Sequence, residues 1–408
     1  MFEMLASSGL RPFRLKGREL LPVVQGGMGV GVSAHRLAGS VAALGALGTI
    51  ASVDLRHHHP DLMARSKGVR ERAVLDAINR EALDREIRQA KSLAQGRGAV
   101  AVNVMKAVDE NPNLVRQACE SGADAIVMGA GLPLDLPDMV ADFPEVALLP
   151  ILSDSRGVTV VLKKWLRRGR MPDAIVIEHP GHAGGHLGAT RLEELNDGRF
   201  DFARVRDEVS TALRGLGLSD ADLPLVAAGG INRHERVREL LGAGWSAVQL
   251  GTAFAVSAEG DAHPRFKEVL AGARPEDIVE FVSVAGLPAR AVRTPWLERY
   301  LQREASLKLK AAEGASRKCA TSLQCLTTCG LRDGLSKFGQ FCIDSQLSAA
   351  LKGEVSRGLF FRGAASLPFG AAIRPVRELV EYLISGKMPA ALAGAGLSAQ
   401  RADAAAIA

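Results

Sequence analysis

The amino-acid sequence predicts an α/β protein built on a TIM (β/α)8 barrel with a C-terminal cap or insertion domain. Eight apolar runs of strand length alternate with helical patterns along the first 270 residues. Runs that are apolar throughout are typical of parallel strands covered on both faces, and eight of them close a barrel. The predicted strands are Leu21–Gln25, Gly48–Val53, Ala99–Met105, Ala125–Met128, Val146–Leu152, Asp173–Glu178, Leu225–Ala228 and Ala247–Leu250.

Helical segments separate these strands, as a barrel requires. Predicted helices include Ser33–Ala43, Leu114–Ser121, Val158–Arg168 and Glu235–Leu241. Residues 56–95 are highly charged and helical in pattern, and they predict a solvated elaboration between strands two and three. The triplet His57-His58-His59 either lines the barrel mouth or forms a solvated turn before Pro60, and the solvated turn is preferred.

The C-terminal part of the chain falls outside the barrel pattern. We expect residues 1–275 to form the barrel and residues 276–368, which hold four of the five cysteines, to form a small cap or substrate domain. Residues 369–408 would supply an amphipathic helix, Val376–Ile384, that returns to the barrel, and an Ala-rich tail that frays.

Charge and hydropathy argue against two kinds of partner. The formal net charge is +6, and the densest basic run, KKWLRRGR at residues 163–170, fits the solvated face and last turn of a helix. No aromatic residues interleave with a basic stripe, so we expect anionic small molecules rather than nucleic acid. The apolar stretches fall short of the roughly 20 residues of a membrane span, and the first residues lack a signal pattern. These features predict a cytoplasmic protein, which we expect to be a homodimer.

Glycines are concentrated directly after the predicted strands, which all face one mouth in a barrel. These strand-end residues are Gln25-Gly26-Gly27-Met28, Asn103, Gly129-Ala130-Gly131, Gly229-Gly230 and Gln249-Leu250-Gly251-Thr252. After strands seven and eight, where barrels usually bind phosphate, glycines let backbone N–H groups approach an anion closely. The pattern therefore predicts a cofactor that carries a phosphate.

A second motif favours a different fold. The segment Gly29-Val30-Gly31-Val32-Ser33-Ala34 matches the G-x-G-x-x-A dinucleotide fingerprint, follows a strand and is trailed by Asp54. A Rossmann domain would explain this motif, but it would leave the glycines after strands seven and eight without a role. Because the strand and helix alternation also continues far beyond it, the barrel is preferred.

The stretch EHPGHAGGHLG, residues 178–188, places His182 and His186 four positions apart after strand six. Zinc ligation by such a pair needs a helix, which Ala183-Gly184-Gly185 disfavours. A nucleophile is not evident either, because no Gly-x-Ser-x-Gly elbow occurs and Cys119 is expected to be buried in a helix. The loop would instead present the His186 imidazole, which could donate a hydrogen bond to an oxyanion or supply a proton near neutral pH. Hydrogen bonding to backbone carbonyls is the alternative, and it is favoured for His182.

Six motifs occur in barrel order over roughly residues 20–260: PVVQGGMG at strand one, VNV around Asn103, GAGLP at 129–133, AGGHLG at 183–188, AAGGI at 227–231 and VQLGTAF at 248–254. Together they resemble the nitronate monooxygenase family, formerly called 2-nitropropane dioxygenases. That family also includes enoyl-acyl-carrier-protein reductase II and NAD(P)H-dependent quinone reductases. The resemblance implies a barrel that binds FMN, with the flavin between the strand-one loop and the cap.

The resemblance also implies roles for individual residues. Gly27 and Met28 would border the isoalloxazine ring, Asn103 would hydrogen-bond near it, and His186 would stand beside its reactive face. The phosphate would be held by Gly229, Gly230, Gly251 and Thr252. The remaining residues of the expected cofactor-binding set are Gly26, Gly184, Gly185 and Gln249.

Two reactions are consistent with the resemblance. Family members that take neutral nitroalkanes carry a histidine base in the strand-four loop, where this chain has Gly129-Ala130-Gly131. A preformed nitronate is already an anion and needs no such base. We therefore expect oxidation of an alkyl nitronate with O2 to a carbonyl compound and nitrite. The alternative is NAD(P)H-dependent reduction of an enoyl thioester or a quinone.

Four cysteines lie within 24 residues in the middle of the cap: Cys319, Cys325, Cys329 and Cys342. In a cytoplasmic chain such a group favours metal or redox chemistry over disulfides. The spacing lacks the paired knuckles of a zinc site at one end, whereas an iron–sulfur cluster tolerates uneven spacing and exchanges electrons with a flavin. Iron–sulfur ligation, a redox or catalytic thiol, and buried unliganded cysteines remain as alternatives.

Overall fold

The computed structural model describes residues 2–315, 319 and 326–392, and its strands include a closed barrel. The strands are β1 (Phe13–Leu15), β2 (Arg18–Leu20), β3 (Val23–Gln25), β4 (Leu47–Ala51), β5 (Ala99–Met105), β6 (Ala125–Gly129), β7 (Ala147–Leu152), β8 (Ile175–Glu178), β9 (Gly185–His186), β10 (Leu225–Ala228), β11 (Ala247–Leu250), β12 (Ile278–Val282) and β13 (Pro288–Val292). The barrel closes in the order β10-β11-β3-β4-β5-β6-β7-β8 with parallel pairing throughout. The predicted barrel is confirmed, and the Rossmann alternative is wrong.

Helices alternate with the barrel strands and continue into the C-terminal part of the chain. They are α1 (Phe2–Ser8), α2 (His35–Ala43), α3 (Pro60–Ser66), α4 (Arg72–Ala94), α5 (Asn111–Glu120), α6 (Leu136–Met139), α7 (Ser155–Leu166), α8 (Phe202–Gly215), α9 (His234–Gly242), α10 (Thr252–Ala255), α11 (Pro264–Gly272), α12 (Pro295–Ala312), α13 (Ile343–Leu351) and α14 (Val376–Ser385). Over the described ranges, no helix combines the length and the apolar character that crossing a membrane would require.

Side chains along the barrel strands alternate between two apolar layers. In β8, Ile175 and Ile177 pack outward against the helices, whereas Val176 packs into the barrel interior with Val24 and Leu149. The hairpin β1–β2 adds Phe13, Leu15 and Leu20 to this inner layer, and so it plugs the amino-terminal end of the barrel. The opposite, carboxyl end is left available for a site.

The charged segment 56–95 is only partly solvated. Its long helix α4 packs against α2 and buries one complete face, including Glu86, whose side chain is 0% exposed. Glu86 accepts hydrogen bonds from the backbone N–H of His35 at 2.7 Å, and its carboxylate also lies 2.7 Å from His35 Nδ1. The prediction was wrong for this face, because its charges are paired inside the protein and sequence composition does not reveal pairing.

The histidine triplet is also largely buried rather than a solvated turn. His57 Nε2 lies 3.2 Å from a carboxylate oxygen of Asp54 and 3.1 Å from Ser348 Oγ. His59 Nε2 lies 2.9 Å from Glu86, and His58 hydrogen-bonds to the carbonyl of Gly31. The triplet, which follows β4, therefore connects this part of the barrel to the loop after β3 and to α13.

The segment after the barrel covers the carboxyl end. Strands β12 and β13 form an antiparallel hairpin, and β9 adds to β13 as a third strand, with Ala289 opposite His186 and Arg290 opposite Gly185. The loop after β8 is thus part of the same sheet as the cap hairpin. The last helix, α14, packs against α1, α2 and α9 on the outside of the barrel. The Ala-rich tail from residue 393 lies outside the described residues.

Helix α2 crosses the barrel so closely at Gly48 that no side chain fits there. An added Cβ would lie 1.9 Å from the carbonyl oxygen of Ala38, which is backbone and cannot rotate away. We expect Gly48→Ala to lower the free energy of unfolding by about 3 kcal/mol or more, since overpacking of a rigid core forces backbone shifts. Urea denaturation measures this change.

The matched control is Gly215→Ala at the end of α8, where no atom lies within 4 Å of an added Cβ. This substitution should change the free energy of unfolding by less than about 1 kcal/mol. Equal stability of the two variants would contradict the prediction.

Candidate active site

A cavity of about 650 Å³ opens at the carboxyl end of the barrel, between the strand-end loops and the cap. His186 and every residue predicted to bind a cofactor line this cavity. They come from the carboxyl-terminal parts of five different barrel strands and the loops that follow, so barrel closure is what brings them to the same location. The structure thus brings the sequence-predicted residues together at one place.

Glycines at the end of β3 allow its loop to pass directly over the barrel floor. An added Cβ on Gly27 would lie 2.4 Å from Asn103 Cβ, and one on Gly26 would lie 3.2 Å from Gln249 Nε2. Asn103 and Gln249 follow inward-facing positions of β5 and β11, and their side chains therefore point into the mouth. Gln249 Oε1 is buried and accepts no hydrogen bond from the described part of the chain. The floor thus holds an acceptor that is available to a ligand.

The loops after β10 and β11 form a glycine-lined cradle. Gly229 and Gly230 have φ values of +100° and +73°, a conformation that L side chains rarely adopt. Thr252, at the start of α10, accepts a hydrogen bond on Oγ1 from the backbone N–H of Gly363 at 3.0 Å. The cradle therefore includes a segment of the cap, Arg362–Gly363, for which the sequence provided no recognisable signal.

Arg362 fixes this cap segment through backbone contacts. Its Nε donates to the carbonyl of Leu270 at 2.9 Å, and its Nη1 donates to the carbonyl of Gly363 at 2.8 Å. Leu270 lies in the last turn of α11, where the partial negative charge at a helix C-terminus favours a cation. Burial lowers the pKa of the Arg362 guanidinium. We interpret Arg362 as the residue that holds this cap segment against the cradle.

The loop that carries the two histidines is held by the cap. An added Cβ on Gly184 would lie 2.5 Å from the backbone of Arg362 and Gly363, so the loop and the cap are in direct backbone contact. From β13, Arg290 donates to the carbonyls of Pro180 and Ala183, and its Nε donates to Glu280 at 3.1 Å. Arg290 thereby fixes residues 180–183 in a non-helical conformation. The loop is not helical, as its glycines predicted.

The two histidines have different surroundings. His182 is exposed, and its ring centroid lies 4.5 Å from that of His179. His186 is half-buried with its ring 5.6 Å from that of Phe361, and its Nε2 is buried without a hydrogen-bond partner among the residues described. Burial lowers the pKa of His186 to about 4. Near pH 7 this shift favours the neutral imidazole, and so it favours the predicted hydrogen-bond donor over an imidazolium that supplies a proton.

Sequence reasoning gave no role to Glu178, which also lines the cavity. It is the last residue of β8, and it continues the inward parity of Ala174 and Val176. Strand parity was the signal that could have identified it, because a charged residue at an inward position of a barrel strand is unexpected in a core. Arg290 and Arg362 had no comparable signal, since Arg290 reaches the histidine loop across 110 positions and Arg362 reaches Leu270 across 92.

Three of the four clustered cysteines are described, and all three line the cavity: Cys319, Cys329 and Cys342. Cys325 lies outside the described residues. Across residues 2–315, 319 and 326–392, no group of three or more His, Cys, Asp or Glu side chains is arranged to hold a metal ion. Iron–sulfur ligation by four cysteines therefore stays a prediction. Cys119 is buried in α5 as expected, and burial followed by nearby glutamates raises the pKa of its thiol to about 12.

A closed β/α barrel with a capped cavity at the carboxyl ends of its strands defines a barrel enzyme. The chain belongs to the nitronate monooxygenase family, because a model of that family, described as "Nitronate monooxygenase", matches residues 17–386. It is accordingly an oxidoreductase.

Individual relatives agree with this assignment. A probable nitronate monooxygenase of Bacillus subtilis is 28% identical over 297 residues, which are 69% of this chain and 79% of the relative. A nitronate monooxygenase of Pseudomonas aeruginosa is 28% identical over 299 residues, covering 66% and 76% of the two chains.

Solved structures share the fold. FabK from Thermotoga maritima is similar with a TM-score of 0.59 at 22% identity, over 89% of this chain and 91% of that one. A nitroalkane oxidase from Streptomyces ansochromogenes is similar with a TM-score of 0.61 at 18% identity, over 90% and 95%. At these identities the likeness concerns the fold alone.

Proposed function

We propose that the protein is an FMN-dependent oxidoreductase that oxidises an alkyl nitronate with O2 to a carbonyl compound and nitrite. The observation that carries the proposal is the convergence of all the predicted cofactor-binding residues and His186 on one cavity, in a chain of the nitronate monooxygenase family. The family name supports a nitronate substrate, and the cavity supports a flat cofactor that bears a phosphate.

The residues of the cavity fit FMN. The cradle consists of Gly229, Gly230, Gly251 and Thr252, whose small side chains allow the close backbone approach that a phosphate requires. Buried Gln249 Oε1 has no hydrogen-bond partner among the described atoms, and it would accept a donor of the cofactor. Gly26 and Gly27 would leave room for the ring beside Asn103. When bound, FMN would supply the redox chemistry of the reaction.

The side chains of this protein would orient the substrate and protect it from water. A neutral His186 has one N–H donor, which would hydrogen-bond to a nitronate oxygen and stabilise negative charge on it. Leu287, Leu347 and Phe361 of the cap cover the cavity with apolar surface. A hydrogen bond between His186 and an anion is stronger where water is excluded.

NAD(P)H-dependent reduction of an enoyl thioester or a quinone is the second candidate. The loop after β6 favours it, since Gly129-Ala130-Gly131 lines the cavity without an ionisable side chain. A loop of this kind leaves space for a second planar ligand beside the cofactor. It also offers no base for a neutral nitroalkane.

Anaerobic reduction of the purified holoprotein distinguishes the two functions. An oxidised flavin spectrum is expected, and it should bleach rapidly on addition of propyl-2-nitronate and slowly with NADH or NADPH. Subsequent turnover in air should release nitrite in proportion to the O2 consumed. Rapid bleaching by a pyridine nucleotide alone would instead establish the reductase. A colourless protein that cannot be reconstituted with FMN would contradict both functions.

Three further expectations belong to the same proposal. An iron–sulfur cluster held by the clustered cysteines predicts iron and sulfide in anaerobically purified protein, and their absence would exclude it. Assembly as a homodimer is tested by light scattering of the eluted protein. Location in the cytoplasm is tested by cell fractionation.

A further inference from the structure

The histidine triplet His57-His58-His59 lies between two elements that enclose the cavity. One element is the loop after β3, residues 26–34, and the other is helix α13 of the cap. Residues of both elements line the cavity. Side chains of the triplet contact both elements, and they also contact helix α4 on the outside of the barrel. The triplet therefore joins the loop over the barrel floor to the cover of the cavity.

His57 connects α13 to the segment after β4. Its Nε2 lies 3.1 Å from Ser348 Oγ of α13 and 3.2 Å from a carboxylate oxygen of Asp54. The carboxylate favours the tautomer that carries its proton on Nε2, which places this N–H between the two oxygens. Asp344, one turn before Ser348, also forms a side-chain hydrogen bond with Asp54, and this bond requires a proton on one of the two carboxyl groups. Because Asp54 is fully buried, water competes little for these contacts.

Helix α13 has two neighbouring faces with different surroundings. One face lines the cavity with apolar side chains at helical spacing: Ile343, Leu347 and Ala350. The adjoining face, one position later in each turn, contacts the barrel: Asp344, Ser348 and Leu351. The position of the cavity face therefore depends on the contacts of the adjoining face. His57 anchors that adjoining face through Ser348.

His58 and Leu351 enclose the loop after β3 at Gly31. His58 Nε2 donates to the carbonyl of Gly31 at 2.8 Å. An added Cβ on Gly31 would lie 2.8 Å from His58 Nε2 and 2.9 Å from Leu351 Cδ2, so both side chains lie directly against the loop. The same loop carries Gly27 and Met28, which line the cavity at the proposed FMN site. His58 thus acts on the cofactor side of the cavity, whereas His57 acts on α13.

We propose that His57 and His58 are positioning residues of this active site with separate tasks. His57 holds α13 so that its apolar face forms the wall against which the alkyl group of the substrate packs. His58 holds the loop after β3 against the flavin. His59 fixes both to the barrel, because its Nε2 lies 2.9 Å from buried Glu86 of α4. The identity of substrate and cofactor rests on the proposed function, whereas the placement of α13 by His57 does not.

Hydrogen exchange measured by mass spectrometry tests the placement of α13 without any substrate. In the holoprotein, His57→Ala should raise the exchange rate of the amides of α13 by about tenfold or more, because the helix loses a buried hydrogen bond. His57→Gln, whose amide N–H can still donate, should restore most of the protection. The matched control is Gln346→Ala on the same helix, which borders Trp296 and Tyr300 and should leave the exchange unchanged.

Steady-state kinetics with nitronates of two chain lengths test the wall. His57→Ala should raise KM for hexyl nitronate by about tenfold or more and KM for ethyl nitronate by less than about threefold, since the longer chain buries more apolar surface. Both kcat and the affinity for FMN should change by less than about threefold. Ser348→Ala should give the same pattern more weakly, and its addition to His57→Ala should cause no further rise in KM.

His58→Ala should have the opposite profile. The affinity for FMN should fall by about tenfold, with a shift of the visible flavin spectrum, because the loop after β3 loses its hydrogen bond. The ratio of the two KM values and the exchange of α13 should stay as they are in the unmodified protein.

Unchanged exchange of α13 in His57→Ala would overturn the assignment of His57. Equal losses in His57→Ala and His58→Ala on every measurement would also overturn it, since they indicate only a general loss of stability, as would effects of His57→Ala and Ser348→Ala that multiply independently. If His57→Ala does not fold, Ser348→Ala carries the same test. Faster exchange of α13 in His57→Ala, together with an unmodified protein that does not oxidise nitronates, would support the positioning role and contradict the proposed function.

Discussion

Replacement of Gly230 by alanine is expected to lower the affinity for FMN by about 100-fold, which corresponds to about 2.7 kcal/mol or roughly two hydrogen bonds to a charged group. Gly230 has a φ of +73°, and an added Cβ would lie 2.9 Å from Cβ of His182 and 3.0 Å from its Cγ. The turn after β10 must then shift, and its backbone N–H groups would move away from the position of the phosphate. Fluorescence titration of deflavinated protein with FMN measures the change.

Gly217→Ala is the matched control for this substitution. Gly217 has nearly the same φ, +75°, but nothing lies within 4 Å of an added Cβ, and it lies between α8 and β10 at the opposite end of the barrel. It should carry the same backbone strain, about 1 kcal/mol of stability, and bind FMN normally. If both variants bound FMN equally well, Gly230 would have no part in the cofactor site.

His186→Ala is expected to lower the turnover of a nitronate by about 100-fold to 1,000-fold while FMN remains bound. The imidazole lines the cavity, and its Nε2 has no hydrogen-bond partner among the described residues. Because burial lowers the pKa of His186 to about 4, nitronate turnover should not decline between pH 8 and pH 6 through protonation of this residue. Steady-state kinetics over this pH range, with the flavin spectrum as a check on cofactor content, measure both effects.

His182→Ala serves as the comparison within the same loop. Its ring is exposed and packs against His179 and the turn at Gly230, so we expect less than about a tenfold change in turnover. A larger loss in His182→Ala than in His186→Ala would reverse the assignment of the two histidines. An unchanged rate in His186→Ala would remove its proposed role altogether.

The barrel was predictable because its strands carry a strong local signal. Parallel strands covered on both faces are apolar at nearly every position, and all eight predicted runs became barrel strands. The strand-end glycines were equally informative, since a barrel places every strand end at one mouth. Charge patterns were less reliable, and α4 with its buried Glu86 was misread as solvated. The sequence shows that Glu86 is charged, but it does not show that His35 and His59 lie beside its carboxylate.

The sequence by itself determined the barrel, the glycine-rich mouth and the resemblance to the nitronate monooxygenase family, because these depend on residue order and strand parity. Only the tertiary structure decided how the two histidines differ, which cap residues fix their loop and that the carboxyl group of Glu178 lines the cavity. Arg290 reaches Pro180 across 110 positions, and Arg362 reaches Leu270 across 92. Such contacts, and the burial that sets the pKa values of Glu178 and His186, exist only after the cap has closed over the barrel.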